Sequence, residues 1–103
     1  MRKYEVKLTE EAKQDRKSLA RFIKEEIHAP LTAKRYMLGL EKEIKKLENS
    51  AGLLAVDEEL SRQIGMEVKR THYKNMAIIY SVEEETAYIH HIIPQKMVVF
   101  ERN

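Results

Sequence analysis

Two groups of residues carry reactive or charged chemistry at close spacing. His90 and His91 are neighbours in an alternating stretch, and residues 69–74 read Lys-Arg-Thr-His-Tyr-Lys. An imidazole titrates near neutral pH, so either histidine can serve as a general acid or base. Adjacent residues on a strand project to opposite faces, however, and two such histidines cannot chelate one metal ion together. The competing reading is a packed, hydrogen-bonded histidine on a half-buried strand. In the second group, Lys69, Arg70, His72, Tyr73 and Lys74 combine cations suited to phosphate contacts with rings suited to base stacking. The same lysines also suit a solvated edge strand, where charge discourages strand-to-strand aggregation. Near the C-terminus, Lys96 is a lone cation followed by a compact apolar run, Met97, Val98, Val99 and Phe100. The cations along residues 34–46 (Lys34, Lys42, Lys45, Lys46) read as solvated helix surface with no function assigned.

What is missing narrows the chemistry. The sequence holds no phosphate loop, dinucleotide fingerprint, zincin helix or nucleophile elbow, and only three glycines from which to build one, so neither cofactor nor metal is expected. With no cysteine there is neither a disulfide framework nor a thiolate site, which fits a reducing, cytoplasmic setting. Apolar runs reach about four residues where a bilayer span needs ~20, and no signal-peptide pattern opens the chain, so no membrane association is expected. A net charge of +2, from 19 basic and 17 acidic residues, excludes a polycation but leaves room for a local patch. Hydrophobic residues at 43% and charged residues at 35% of 103 positions describe a single folded domain over residues 1–103.

The elements that must position these groups follow from periodicity. Tyr4, Val6 and Leu8 alternate with Lys3, Glu5 and Lys7, the period of a half-buried strand. Thr9 is placed to cap a helix whose first turn holds Glu10 and Glu11. Ala12, Leu19, Phe22, Ile23 and Ile27 form its apolar stripe, notched at Arg16. Pro30 cannot continue that helix and instead suits the first position of a second one. There, Ala33, Met37, Leu40, Ile44 and Leu47 step by four and three. Gly39 interrupts this helix, which either a close helix–helix approach or a neutral surface position would explain. Residues 53–63 lack a clear period and are expected to form a loop with at most one helical turn. Period two returns at Met66 and Val68, then at Met76, Ile78, Tyr80 and Val82, then at Ala87, Ile89, His91 and Ile93. Short polar breaks at Lys74-Asn75 and at residues 83–85 predict hairpin turns, and Pro94 should end the last strand. The expected fold is α+β: an N-terminal strand, a two-helix antiparallel hairpin and a three-stranded antiparallel meander, with the helices on one face of a short antiparallel sheet.

This layout resembles the RelE/ParE superfamily of bacterial toxins from type II toxin–antitoxin pairs. The resemblance spans nearly the whole chain. It rests on Tyr4-Glu5-Val6-Lys7-Leu8-Thr9 followed by Ala12 and Asp15, on Phe22-Ile23, on Ala33 with Leu40, Ile44 and Leu47, and on Ile78-Ile79-Tyr80-Ser81-Val82 leading to Tyr88-Ile89. It implies a growth-inhibiting, plasmid-stabilising toxin, with a cognate antitoxin as partner and either DNA gyrase or the ribosome and its mRNA as target; a homodimer stays open. RelE-like members cleave mRNA with basic strand residues and a C-terminal tyrosine, whereas ParE-like members poison gyrase. This chain has Ala77 and Phe100 where the RelE-like pattern often has arginine and tyrosine. Lys69, Arg70, His91 and Lys96 are the remaining candidates for catalysis. The long helical hairpin looks more ParE-like, favouring inhibition by binding, with endoribonuclease activity or a fold that has lost toxicity as alternatives. Lys69, Arg70, Tyr73, Lys74, Met97, Val98, Val99 and Phe100 are the expected partner contacts.

Overall fold

The computed structural model of the chain describes residues 3–98, so Val99 and Phe100 lie outside the described residues. Strand β1 (Glu5–Leu8) exposes Glu5 and Lys7 and half-buries Val6 and Leu8. Its alternation ends at Thr9, whose hydroxyl accepts a hydrogen bond from the Ala12 amide and caps α1 (Glu10–Ile27). After His28 turns the chain through a left-handed conformation (φ 54°), Pro30 opens α2 (Pro30–Ser50). Proline is favourable there because its missing N–H would have had no helical partner.

The two helices lie on one face of the sheet. Leu40, Ile44 and Leu47 of α2 are buried as their spacing predicts, with Ala12 and Ile23 from α1. The rest of the α1 stripe is less buried than predicted: Leu19 is half-buried, and Phe22 is 61% exposed. The notch at Arg16 has a role, since its guanidinium meets Glu41 at 3.1 Å and links the two helices. Residues 53–63 hold more structure than the sequence suggested. A two-turn helix, α3 (Glu58–Ile64), begins there, with the Asp57 carboxylate accepting from the Leu60 amide at 3.0 Å. Its single buried residue, Leu60, is too little to produce a period.

Strands β2 (Lys69–Tyr73), β3 (Met76–Glu83) and β4 (Thr86–Pro94) form the expected meander, joined at Lys74-Asn75 and Glu84-Glu85. Lys74 (φ 53°) and Glu84 (φ 55°) turn these corners in the left-handed region, at a cost on the order of 1 kcal/mol each for a residue with a Cβ. The second strand starts later than Met66, which is exposed. The sheet order is β1-β4-β3-β2, and β1 joins parallel to β4. The sheet is therefore mixed and not wholly antiparallel.

A register shift between Ile79 and Tyr80 gives β4 one extra residue, because Ile79 pairs with His91 while Tyr80 pairs with Ile89. This bulge at His90 breaks the predicted series Ala87, Ile89, His91, Ile93: Ala87 and Ile89 lie in the core as expected, and the members past the bulge do not. Past the bulge it is Ile92 that joins the core under the helices, while Ile93 packs with the cluster on the other face. The larger core holds Leu40, Ile44, Leu47, Ile78, Tyr80 and Ile89 among its members. The smaller one holds Leu60, Val68 and Ile79, with Ile93 and Val98 against it. Tyr80 is fully buried, and its hydroxyl donates to the Ala51 carbonyl at 2.9 Å, tying β3 to the end of α2. Burial, with a smaller contribution from Tyr4, pushes its pKa up to about 12, so this donor stays protonated over the whole stable range.

Gly39 is neither a helix–helix contact nor a neutral surface glycine. A methyl group there would meet the Tyr73 hydroxyl oxygen and stand 2.9 Å from its ring carbon Cζ. The missing side chain lets Tyr73 of β2 reach across and donate to the Tyr36 carbonyl at 3.0 Å, with the two rings edge to face at 5.1 Å. Gly39→Ala would stabilise an isolated helix by about 1 kcal/mol. Here it should instead destabilise the protein by about 1–3 kcal/mol in urea unfolding, with part of the loss recovered by adding Tyr73→Phe. Leu40→Ala, one residue on, should cost about 2–5 kcal/mol.

Candidate functional site

The candidate catalytic residues stand on β2, β4 and the 3₁₀ turn Gln95–Met97, and the pleat separates them. Lys69 pairs across from Tyr80, whose side chain lies in the core under the helices, while Arg70 pairs across from Ile79 on the opposite face. Consecutive strand residues alternate, so Lys69 and Arg70 cannot converge on one phosphate. Arg70 is engaged elsewhere. Its guanidinium meets Asp57 Oδ2 at 3.2 Å, while Oδ1 of the same carboxylate caps α3. Ser61 adds a second tie, accepting from the Val68 amide at 2.8 Å and donating to its carbonyl at 3.2 Å. Arg70 thus helps fasten α3 to the sheet.

The histidines also diverge. His90 Nε2 lies 2.8 Å from Ser81 Oγ, and the proton between them belongs to either, depending on the imidazole tautomer. His91 Nδ1 faces Asp15 Oδ2 at 3.4 Å, and that oxygen also accepts from the Ile92 amide at 3.0 Å. Sequence reasoning missed both partners, since Ser81 and Asp15 are 9 and 76 residues away from the histidines they meet. A serine beside a histidine has the composition of a nucleophile and its base. Ser81, however, is only 5% exposed, which seals its hydroxyl from an incoming electrophile, and the pair reads as a satisfied buried hydroxyl. Ala77, where RelE-like proteins often carry arginine, is fully buried between its β2 and β4 neighbours. Lys96 stands exposed on the terminal 3₁₀ turn.

The residues expected to meet a partner fall into two places. Tyr73 is half-buried against Gly39 and Tyr36, and burial together with Glu43 holds its pKa above the ordinary tyrosine value. Lys74 lies 5.6 Å from the Tyr73 ring centroid, and both sit at the β2–β3 corner. The start of β2 is covered by a bridge between Val56 and Lys69, and its outer edge continues beyond that bridge. At the C-terminal end, Val98 packs on the chain's own Leu60, Val68 and Ile79 cluster, whereas Met97 is exposed.

A further feature was not anticipated. Between α1 and the ends of β3 and β4 runs an apolar groove of about 410 Å³, lined by Leu19, Phe22, Ile27, Tyr36, Ile92 and Pro94 among others. It follows from the length of β1. Four residues of β1 cover the β4 edge only as far as Ile89. Beyond it, the Thr9 amide donates to the Ile89 carbonyl at 3.0 Å, and Asp15 takes the Ile92 amide. The exposed Phe22 and Ile27 of α1 border this stretch.

His90 supplies a pH test of the arrangement. Burial holds its pKa below the ordinary histidine value, neighbouring His91 lowers it further, and Glu11 opposes the shift. The unfolded chain therefore binds this proton more readily than the folded one. Stability from this group is complete above pH ~6.5 and is lost as pH falls from there toward the depressed folded value. Thermal melts from pH 8 to pH 5 should show a drop in Tm below about pH 6.5, and His90→Gln should flatten it. An unchanged slope in that variant would assign the acid sensitivity to other groups.

A family model described as the ParE toxin of the type II toxin–antitoxin system parDE matches residues 6–99. A solved structure, a chromosomal ParDE toxin–antitoxin system from P. aeruginosa, aligns with a TM-score of 0.73 at 18% identity, covering 88% of this chain and 95% of that one. At that identity the likeness speaks for the fold. No curated protein matches. A family match spanning nearly the whole sequence places the chain in the ParE toxin family, the toxin component of type II toxin–antitoxin pairs.

Proposed function

We propose that this ParE-family toxin acts by gripping a macromolecular target, with DNA gyrase as the family precedent, and that a cognate antitoxin silences it. The observation that carries the non-catalytic reading is the divergence of the candidate catalytic side chains. Lys69 and Arg70 occupy opposite sheet faces, Arg70 is held by Asp57 and His91 by Asp15. Cleaving RNA needs a base for the 2′-hydroxyl and an acid for the leaving oxygen within hydrogen-bond reach of one phosphodiester. Cations split across a four-stranded sheet do not meet that demand. Ala77 in the arginine position supports the same reading.

Antitoxin binding draws on the surfaces left open among the described residues. The groove beside β4 offers an apolar lining, and the outer edge of β2 offers backbone groups that an added segment can pair. Lys74 at the β2–β3 corner and Met97 at the terminal turn border that sheet, suited to acidic and apolar side chains respectively. A segment that folds as it binds can span both regions.

Inducing the toxin in cells without antitoxin, mapping transcript 5′ ends within minutes and assaying supercoiling by purified gyrase separates the two activities. The expected result is loss of gyrase supercoiling with no ribosome-phased cuts. Phased cuts that vanish on changing Lys69, Arg70 or His91 would establish an endoribonuclease instead.

A further inference from the structure

Helix α2 carries a second surface, on the side turned away from the core. At 3.6 residues per turn, Leu31, Lys34, Arg35, Leu38, Lys42 and Lys45 fall within a stripe roughly 100° wide. All six are exposed, Leu31 by 70% and Leu38 by 56%. The nearby acids are already engaged, Glu41 with Arg16 and Glu43 with Lys46, both at 3.1 Å. Among the described residues, none of the four cations in the stripe has an ion-pair partner. A shallow cleft of about 460 Å³ lies around Leu38 and Gly39, walled by Arg35, Lys42 and Lys45 and by Glu41, whose carboxylate is the one held by Arg16. Read from sequence alone, this face is ordinary solvated surface. Two exposed leucines seven residues apart, in line and set among unpaired cations beside a cleft, do not fit that description.

We infer that this face of α2 docks an acidic, amphipathic segment of the toxin's protein target; the inference rests on the reading that the toxin acts by gripping a protein. The chemistry selects the occupant. Leu31 and Leu38 are anchors at the i, i+7 spacing by which one helix face meets an apolar partner, and the flanking cations would meet carboxylates and set the register. A nucleic acid would use the cations but leave both leucines against a polar backbone, and a net charge of +2 gives weak attraction to a duplex. A second copy presenting the same stripe would bring like charges together. The antitoxin surfaces lie elsewhere: Tyr36, the α2 residue lining the apolar groove, is on the opposite side of the helix.

The test compares the wild-type chain with Arg35→Glu/Lys42→Glu and with Leu38→Gln, each induced with and without antitoxin. All the changed side chains are exposed, so melting temperature and antitoxin co-purification should match wild type. Growth arrest should require about tenfold more toxin in both variants, as loss of complementary charge or of an anchor predicts. Arrest at wild-type toxin levels would overturn the inference while leaving the proposed function standing. An inert wild-type chain would remove that function and the inference with it. Loss of antitoxin capture would make α2 the antitoxin's surface, and salt-sensitive binding of a 20-base-pair duplex, lost in Arg35→Glu/Lys42→Glu, would make it a nucleic-acid surface. Either result overturns the assignment to a protein target.

Discussion

The parallel pairing of β1 with β4 sets the arrangement of the rest of the molecule. Glu5 to Leu8 align with Thr86 to Ile89 in the same direction, and parallel neighbours cannot be joined by a tight turn. The intervening chain must leave the sheet, cross one face and return. It does so as the α1–α2 hairpin, which puts the apolar faces of both helices on the same side and over Ile78, Tyr80 and Ile89. Among the described residues, the opposite face receives α3 and Val98, which pack on Ile79 and Val68. Because β1 is four residues long and β4 nine, the remaining β4 edge is left for side chains of α1 to satisfy. The apolar groove is a consequence of that mismatch.

What the sequence made legible is what strong local periodicity encodes. The Thr9 cap, the Pro30 start, the α2 stripe from Leu40 to Leu47 and the two hairpin turns all depend on neighbours within a few positions. What it concealed depends on distant partners. A bulge leaves no mark in composition, so an unbroken period of two through His91 and Ile93 gave the wrong faces beyond Ile89. Helix α3 buries one residue and has no stripe to detect. Phe22 fits a helical period perfectly well, yet it stands exposed on the wall of the groove beside the end of β4, past the stretch that β1 pairs with. The Gly39 reading failed for the same reason, since the tyrosine that needs the space comes from β2, 34 positions along the chain. The family resemblance, carried by the order of elements and a few local phrases, was legible almost from end to end.

Candidate site residues were legible as types but not as a constellation. Lys69, Arg70 and His91 are the residues an RNA-cleaving site would recruit, and the sequence showed that they were present. Whether they converge depends on the pleat and on competing partners, neither of which a one-dimensional pattern contains. Once Arg70 is committed to Asp57 and His91 to Asp15, the basic strand functions as scaffold. These part-exposed contacts are each worth on the order of 1 kcal/mol or less, but freeing Arg70 or His91 would remove a tie between the sheet and a helix. Chemistry at this sheet would therefore compete with the contacts that hold α3 and α1 in place, whereas binding on exposed surfaces competes with nothing in the fold.

The same contrast bears on α2, whose two sides answer to different demands. Its buried side is fixed by the core: Leu40, Ile44 and Leu47 fill it, and the missing side chain of Gly39 admits Tyr73. Nothing in the fold requires the outer side to be cationic. Lys42 has Lys45 three positions on, and a like charge that close on a helix face is unfavourable by a few tenths of a kcal/mol, about 0.2–0.5. Cations stabilise a helix when they sit in its last turn against the macrodipole, and the last turn of α2 holds none. Exposed leucines at Leu31 and Leu38 gain little helix propensity over the glutamates or glutamines that could replace them, and they leave apolar area in water. A helix shaped only for stability would alternate signs along this face and keep its leucines inside. The stripe thus departs from what folding favours in both charge and hydrophobicity, at the same positions, which is the pattern expected where a surface is shaped for contact with another molecule.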